Sequence, residues 1–288
     1  MRTQELAPAK INLTLDILGR RADGYHELRM VMQTVSLCDV ITVEEGGTGF
    51  TLLTGEAFSL PADKVSMEQR AAEAFFAALG VPVPPLTVRL EKNIPAFAGL
   101  GGGSADVAAL LRCLRRLYAA GMPDEALRAI GLTVGSDVPF CVSGGTSLAE
   151  GRGERLTDLP PLPVCQIVLC KPDFGISTPE LFVLADGAVL SKRPDIAGLT
   201  AALQGGELTG VTDRLCNVFE EFLPERYREV FRIKEILLAH GALNAAMSGS
   251  GPTVYGIFES AAEAQRAAEV LKKSYQQTYV AKPVKKLV

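Results

Sequence analysis

The 288-residue sequence predicts an α+β protein in two domains, and three observations carry that prediction. Apolar residues alternate with polar ones over Ile11 to Ile17 and again over Leu86 to Leu90, the period of a strand with one covered face. Alanine-rich stretches with helical spacing open on the capping pairs Ser66/Gln69 and Ser260/Glu263. The C-terminal end reads strand, strand, helix, strand over residues 243–247, 253–258, 260–274 and 277–281. A split β-α-β-β-α-β arrangement with inserted helices accommodates that order.

Each element follows from local chemistry. Ile11, Leu13, Leu15 and Ile17 alternate with Asn12, Thr14 and Asp16, which predicts a half-buried strand with an outward polar face. A polar turn over Gly19 to His26 separates it from strand-like sequence at 30–37 and 40–44. The helix opened by Ser66 runs to about Leu79, where the proline-rich stretch 81–85 stops it. Val107, Leu110, Leu111, Leu114 and Leu117 mark a second helix, from about Ser104 to Ala120. Leu159-Pro160-Pro161-Leu162-Pro163 reads as a stiff connector and divides the chain into domains 1–158 and 159–288. Beyond it, Val164 to Cys170 is a buried strand, and helical stretches are expected at 179–185, 213–222 and 225–240.

Composition narrows the function classes. Hydrophobic residues make up 48% and charged residues 22%, and the net charge is -4. With no polycationic footprint, nucleic acid and anionic membrane surfaces are not expected partners. An anionic substrate must then be held by local lysines, arginines and loop amides. The six cysteines form no CxxC pair and sit mostly in apolar runs, as reduced core residues do. No charged-then-apolar leader and no apolar run of membrane-spanning length is present, so a cytoplasmic protein is expected. A monomer or weak homodimer is the expected assembly.

The chemistry concentrates at Gly99-Leu100-Gly101-Gly102-Gly103-Ser104, between an expected strand and an expected helix. Glycine permits positive φ and close backbone approach to a ligand. Amides at a helix N-terminus, which carries about half an elementary charge, suit a polyphosphate. Ser104 can cap the helix, bond a phosphate oxygen or contact a metal ion. The loop lacks the Gly-Lys-Ser/Thr ending of a Walker A sequence and the G-x-G-x-x-G spacing of a dinucleotide fingerprint.

Pro95-Ala96-Phe97-Ala98-Gly99-Leu100-Gly101-Gly102-Gly103-Ser104-Ala105 resembles the P-x-x-x-G-L-G-x-S/G-S-A motif of the GHMP kinases. Pro8-Ala9-Lys10-Ile11-Asn12-Leu13 resembles that family's N-terminal motif, and Met247 to Val254 its C-terminal glycine-rich motif. The resemblance implies a ribosomal protein S5 domain 2-like N-terminal domain, a ferredoxin-like C-terminal domain and ATP as phosphoryl donor. Gly19 to Leu28 and Gly135-Ser136-Asp137-Val138-Pro139-Phe140 resemble one branch of the family. Members of that branch phosphorylate the 2-hydroxyl of a methylerythritol unit carried on cytidine diphosphate, on the non-mevalonate route to isoprenoid precursors. Homoserine and mevalonate kinases lack a stretch like Arg20 to His26.

The resemblance also implies roles. Asp137 is the expected base for the attacking hydroxyl, although Gly-Ser-Asp alone reads first as a turn or a helix cap. Lys10 orients that carboxylate and offsets developing charge, and Asn12, on the same strand face, bonds substrate hydroxyls. Tyr25 and Phe182 stack on the cytosine, His26 reads its edge, and Thr178 faces the methylerythritol unit. Lys92, Pro95 and the loop Gly99, Leu100, Gly101, Gly102, Gly103 and Ser104 hold the nucleotide. Mg²⁺ arrives mainly through the ATP phosphates, with no protein metal cage expected. The stretch Asp63 to Met67 departs from the family by lacking the asparagine that contacts adenine in many relatives.

Overall fold

The computed structural model describes residues 1–55 and 65–287. Asp63 and Lys64, from the stretch compared above with an adenine contact, lie outside the described residues.

The N-terminal half places β1 (Arg2–Arg20), β2 (His26–Glu45), β3 (Phe50–Thr54), α1 (Met67–Ala78), β4 (Leu86–Glu91) and α2 (Gly102–Tyr118) in sequence. It continues with α3 (Asp124–Leu132), α4 (Val138–Ser143), β5 (Thr146–Gly151) and β6 (Arg155–Asp158). Antiparallel β1 and β2 form the spine of a seven-stranded sheet, flanked by β4 and β3 on one side and by β5 and β6 on another. The side chain of Ser66 caps α1 by accepting the Gln69 amide at 3.0 Å. Phe75, Phe76, Leu110 and Leu111 are fully buried or nearly so where α1 and α2 close over the sheet.

The second half contains β7 (Gln166–Lys171), α5 (Thr178–Gly187), α6 (Ile196–Gly205), α7 (Leu208–Thr212), β8 (Cys216–Asn217) and α8 (Glu229–Ala239). It ends with β9 (Asn244–Met247), β10 (Val254–Phe258), α9 (Ala261–Lys272) and β11 (Gln277–Ala281). Four of its five strands pair in the order β11-β7-β10-β9, all antiparallel, which is the split β-α-β-β-α-β topology expected, while β8 joins β1 in the other sheet.

Two expectations are corrected. The polar side of β1 is not outward: Asn12, Thr14 and Asp16 are buried along with their apolar neighbours. The second half covers that face, where Tyr255 donates its hydroxyl to the Asn12 carbonyl at 2.8 Å and Arg193 reaches Asp16 at 2.6 Å. The stretch 213–222 is not one helix. Cys216 and Asn217 instead pair in parallel with Thr14 and Leu15 of β1, and a 3-10 turn follows at Val218–Phe222. The Asn217 side chain accepts the Phe219 amide at 3.1 Å, which breaks helical continuity at that point.

All six cysteines are free thiols, and burial pushes Cys113, Cys141, Cys165 and Cys170 up to about 12, which keeps them protonated. No helix among the described residues is long and apolar enough to cross a membrane.

Candidate active site

A cavity of about 1100 Å³ opens where β1, the glycine loop, α5 and the turn after β9 meet. Ligand pockets commonly hold about 300 to 1,000 Å³, so this one has room for more than one small molecule. Its floor is the polar face of β1. Register shifts between Pro8 and Lys10 and between Asn12 and Thr14 bracket this segment. Such irregularities re-aim side chains, here on the strand face shared by Lys10 and Asn12.

Lys10 is only 5% exposed. Its amide donates to the Leu100 carbonyl at 2.9 Å, tying β1 to the glycine loop. Its aliphatic stem runs along Gly101, where a Cβ atom would meet Lys10 Cγ at 3.0 Å. Lys10 Nζ then donates to Asn12 Oδ1 at 2.8 Å and lies 3.3 Å from Asp137 Oδ2. Asp137 stands at the start of α4 but its side chain makes no capping bond. The carboxylate is therefore directed to Lys10 and the cavity, not spent on the helix.

The glycine loop is locked from behind. Gly99 has φ +74°, and a Cβ there would sit 2.1 Å from the Ser248 carbonyl oxygen. Ser248 donates its hydroxyl to the Gly99 carbonyl at 3.0 Å, and Asn217 donates to the carbonyls of Met247 and Gly249, both at 2.8 Å. The second glycine-rich stretch thus braces the first. Gly101, at φ +68°, occupies the N-cap of α2, so Ser104 falls within the first helical turn and does not cap it. The opening amides of such a helix have no intrahelical partner and face outward for an anion. Ser104 lines the cavity, whereas Leu100 is buried beneath it.

Lys92 does not line the cavity. Its ammonium sits below the loop, 2.5 Å from Asp39 and 2.6 Å from Asp106. Asp39 also accepts the amides of Asn93 and Ile94, so the cluster anchors the chain entering the loop. Burial pushes Asp106 up to about 8; the Lys92 ammonium opposes that rise and the Asp39 carboxylate adds to it. One ammonium cannot neutralise two buried carboxylates, and Asp106 has fewer donors than Asp39. Pro95, Gly102 and Gly103 likewise shape the loop without lining the cavity.

The far end is built from side chains. Phe182 stacks on His26 with ring centroids 4.6 Å apart and packs edge-on against Phe219. His26 Nε2 lies 2.8 Å from Asp186 Oδ1. Tyr25 is more than half exposed, with the Arg152 guanidinium 4.6 Å above its ring. The expected stacking partners Tyr25 and Phe182 therefore contact Arg152 and His26, respectively. Thr178 pairs with Ser250 at 2.6 Å, joining α5 to the second glycine-rich stretch.

The GHMP kinases N terminal domain matches residues 67–145 and the GHMP kinases C terminal domain matches residues 200–277. A Caldicellulosiruptor saccharolyticus protein named 4-diphosphocytidyl-2-C-methyl-D-erythritol kinase is 40% identical over 92% of this chain and 91% of its own. The chain belongs to the GHMP kinases. Another relative of the same name, from Pelotomaculum thermopropionicum, is 42% identical over 96% of both chains. Among solved structures, a 4-(cytidine 5'-diphospho)-2C-methyl-D-erythritol kinase superposes with a TM-score of 0.82 at 33% identity, covering 98% of this GHMP kinase and 99% of that chain.

Cavity and bracing residues that escaped the sequence reading include Phe97, Arg152, Asn217 and Tyr255. Gly151-Arg152-Gly153-Glu154 carried a signal for Arg152, since glycines flank a cation there. Phe97 carried one only as the bulky residue in a run of small ones. Asn217 and Tyr255 had none, because their roles depend on segments far away in sequence.

Proposed function

We propose that the protein transfers the γ-phosphoryl group of ATP to the 2-hydroxyl of 4-diphosphocytidyl-2-C-methyl-D-erythritol, in the cytoplasm, on the non-mevalonate route to isoprenoid precursors. The observation that carries this reading is the uncapped Asp137 carboxylate, 3.3 Å from the buried Lys10 ammonium beside the glycine loop. Phosphoryl transfer needs positioning and charge stabilisation more than covalent help from the protein. Asp137 accepts the proton of the attacking hydroxyl as its oxygen bonds to the γ-phosphorus and the bond to the β-phosphate bridging oxygen breaks. Lys10 holds Asp137 in place while offsetting charge on the moving phosphoryl group. Asn12, fixed by Lys10 and by the Met30 sulfur at 3.1 Å, orients the substrate hydroxyls.

The free amides opening α2 and the Ser104 hydroxyl fit an ATP polyphosphate with its Mg²⁺. Ser104 would be a side chain available to that ion, which would supply charge neutralisation on the phosphates. The opposite wall, with Phe182, His26 and Tyr25, suits a flat base carrying donor and acceptor edges.

The test offers Mg-ATP with the cytidylyl substrate, homoserine or mevalonate separately and measures ADP release. Turnover only with homoserine or mevalonate overturns the substrate assignment. Asp137→Asn should lower kcat by about 10²- to 10⁴-fold with nucleotide binding retained, and near-normal kcat overturns the base assignment.

A further inference from the structure

We propose that Arg152 is the binding residue for the diphosphate that links the cytidine and methylerythritol ends of the substrate, an inference that rests on the functional reading above. Among the described residues, three lysine or arginine side chains line the cavity: Lys10, Arg20 and Arg152. Lys10 is committed to Asn12 and Asp137, and Arg20 pairs with Asp186 at 3.5 Å. The Arg152 guanidinium makes no ion pair and no side-chain hydrogen bond among the described residues; it rests on the Tyr25 ring. That contact fixes the group at the cavity wall and leaves its N–H donors free.

Its position suits the assignment. Arg152 lies in the turn between β5 and β6, flanked by Gly151 at φ +75° and Gly153 at φ +111°. The turn is closed by the Glu154 carboxylate, which accepts the Arg152 amide at 2.5 Å, and by the Gly153 amide donating to Glu150. On one side the turn approaches the transfer site, since a Cβ at Gly153 would lie 3.9 Å from Asp137 Oδ1. On the other, the guanidinium covers Tyr25 at the base-stacking end. A diphosphate joining those ends has to pass between them. Asp23 is the carboxyl whose ionisation Arg152 assists: burial raises it, while the Tyr25 amide, Arg21 and Arg152 together hold it below its ordinary value. The local field of Arg152 therefore already favours anions. A planar guanidinium also matches phosphate oxygens in a bidentate fork.

The test compares full-length wild type with Arg152→Gln and Arg152→Lys. A charge-assisted hydrogen bond contributes about 1.5 to 3 kcal/mol, so Arg152→Gln should raise KM for the cytidylyl substrate by about 10- to 150-fold. KM for ATP should stay within about twofold, and Arg152→Lys should recover part of the loss. Affinity for CDP should fall in Arg152→Gln while affinity for cytidine is unchanged. The salt dependence of kcat/KM should flatten in the same variant. Equal losses for CDP and cytidine, or an unchanged KM and salt slope, overturn the assignment to Arg152 while leaving the functional reading intact. Wild-type protein that neither turns over the cytidylyl substrate nor binds CDP overturns both.

Discussion

The two ends of the cavity are built on different principles. At the phosphate end, close contacts converge on backbone: Gly99 abuts Ser248, the Lys10 stem lies along Gly101, and the Asn217 side chain ties down the second glycine-rich stretch. At the other end, side chains do the work, with Phe182 on His26 and Arg152 on Tyr25. A site that must stabilise moving charge benefits from dipoles that do not reorganise. A site that reads a base needs flat faces and directional groups, which side chains on peripheral turns supply. The phosphate end therefore tolerates little change in shape, and the base end accepts changes that alter affinity without disturbing the fold.

Placing the same substitution at both ends sharpens this contrast most. Gly99→Ala combines a positive φ with a Cβ 2.1 Å from a backbone oxygen, so it should cost about 3 kcal/mol or more and abolish turnover. Gly24→Ala, at φ +85° beside Tyr25, meets nothing within 4 Å and should cost only about 1 to 2 kcal/mol of backbone strain. Urea denaturation of the two variants measures the difference; equal losses would break the comparison. A smaller effect is expected for Phe182→Ala. Losing one stacking face should raise KM for the cytidylyl substrate by about 5- to 150-fold, with KM for ATP little changed.

The carboxylate cluster below the loop predicts a pH effect. Asp106 is raised in the folded protein, so its contribution to stability is full below its unfolded value of 3.8 and is lost as pH rises through about 8. Thermal midpoints should decline between about pH 4 and 8, and Asp106→Asn should flatten that decline. An unchanged slope in the variant would remove Asp106 as its cause. The smallest effect concerns Phe97, which holds φ +51° although its side chain is 84% exposed. Phe97→Gly should gain about 0.5 to 1 kcal/mol by relieving that strain, whereas Phe97→Ala keeps it and should stay near wild type. Denaturation midpoints in the opposite order would refute the strain.

Much of this was legible in the sequence wherever the cause is local. Alternation placed β4 and the inner part of β1, which extends over Arg2–Arg20, and capping serines placed α1 and α9 within a few residues. Four glycines in residues 99–103 marked the phosphate loop without any contact information. Where the reading missed, the cause lay elsewhere in the chain. Lys92, beside the loop in sequence, is drawn under it by Asp39 and Asp106. The polar face of β1 reads as solvated, yet packing against the second half of the chain buries it.

By itself, the sequence determined part of the backbone vocabulary: the strand character of β1 and β4, where α1 and α9 begin, and where glycine alone permits the turn. Those are properties of a residue and its near neighbours. Tertiary structure alone decided that Asp137 meets Lys10, that Ser248 braces Gly99 and that Arg152 faces the cavity without an ion pair among the described residues. Each of those depends on burial and charge pairing between segments far apart in the chain, and such partners are chosen only when the sheets and helices pack.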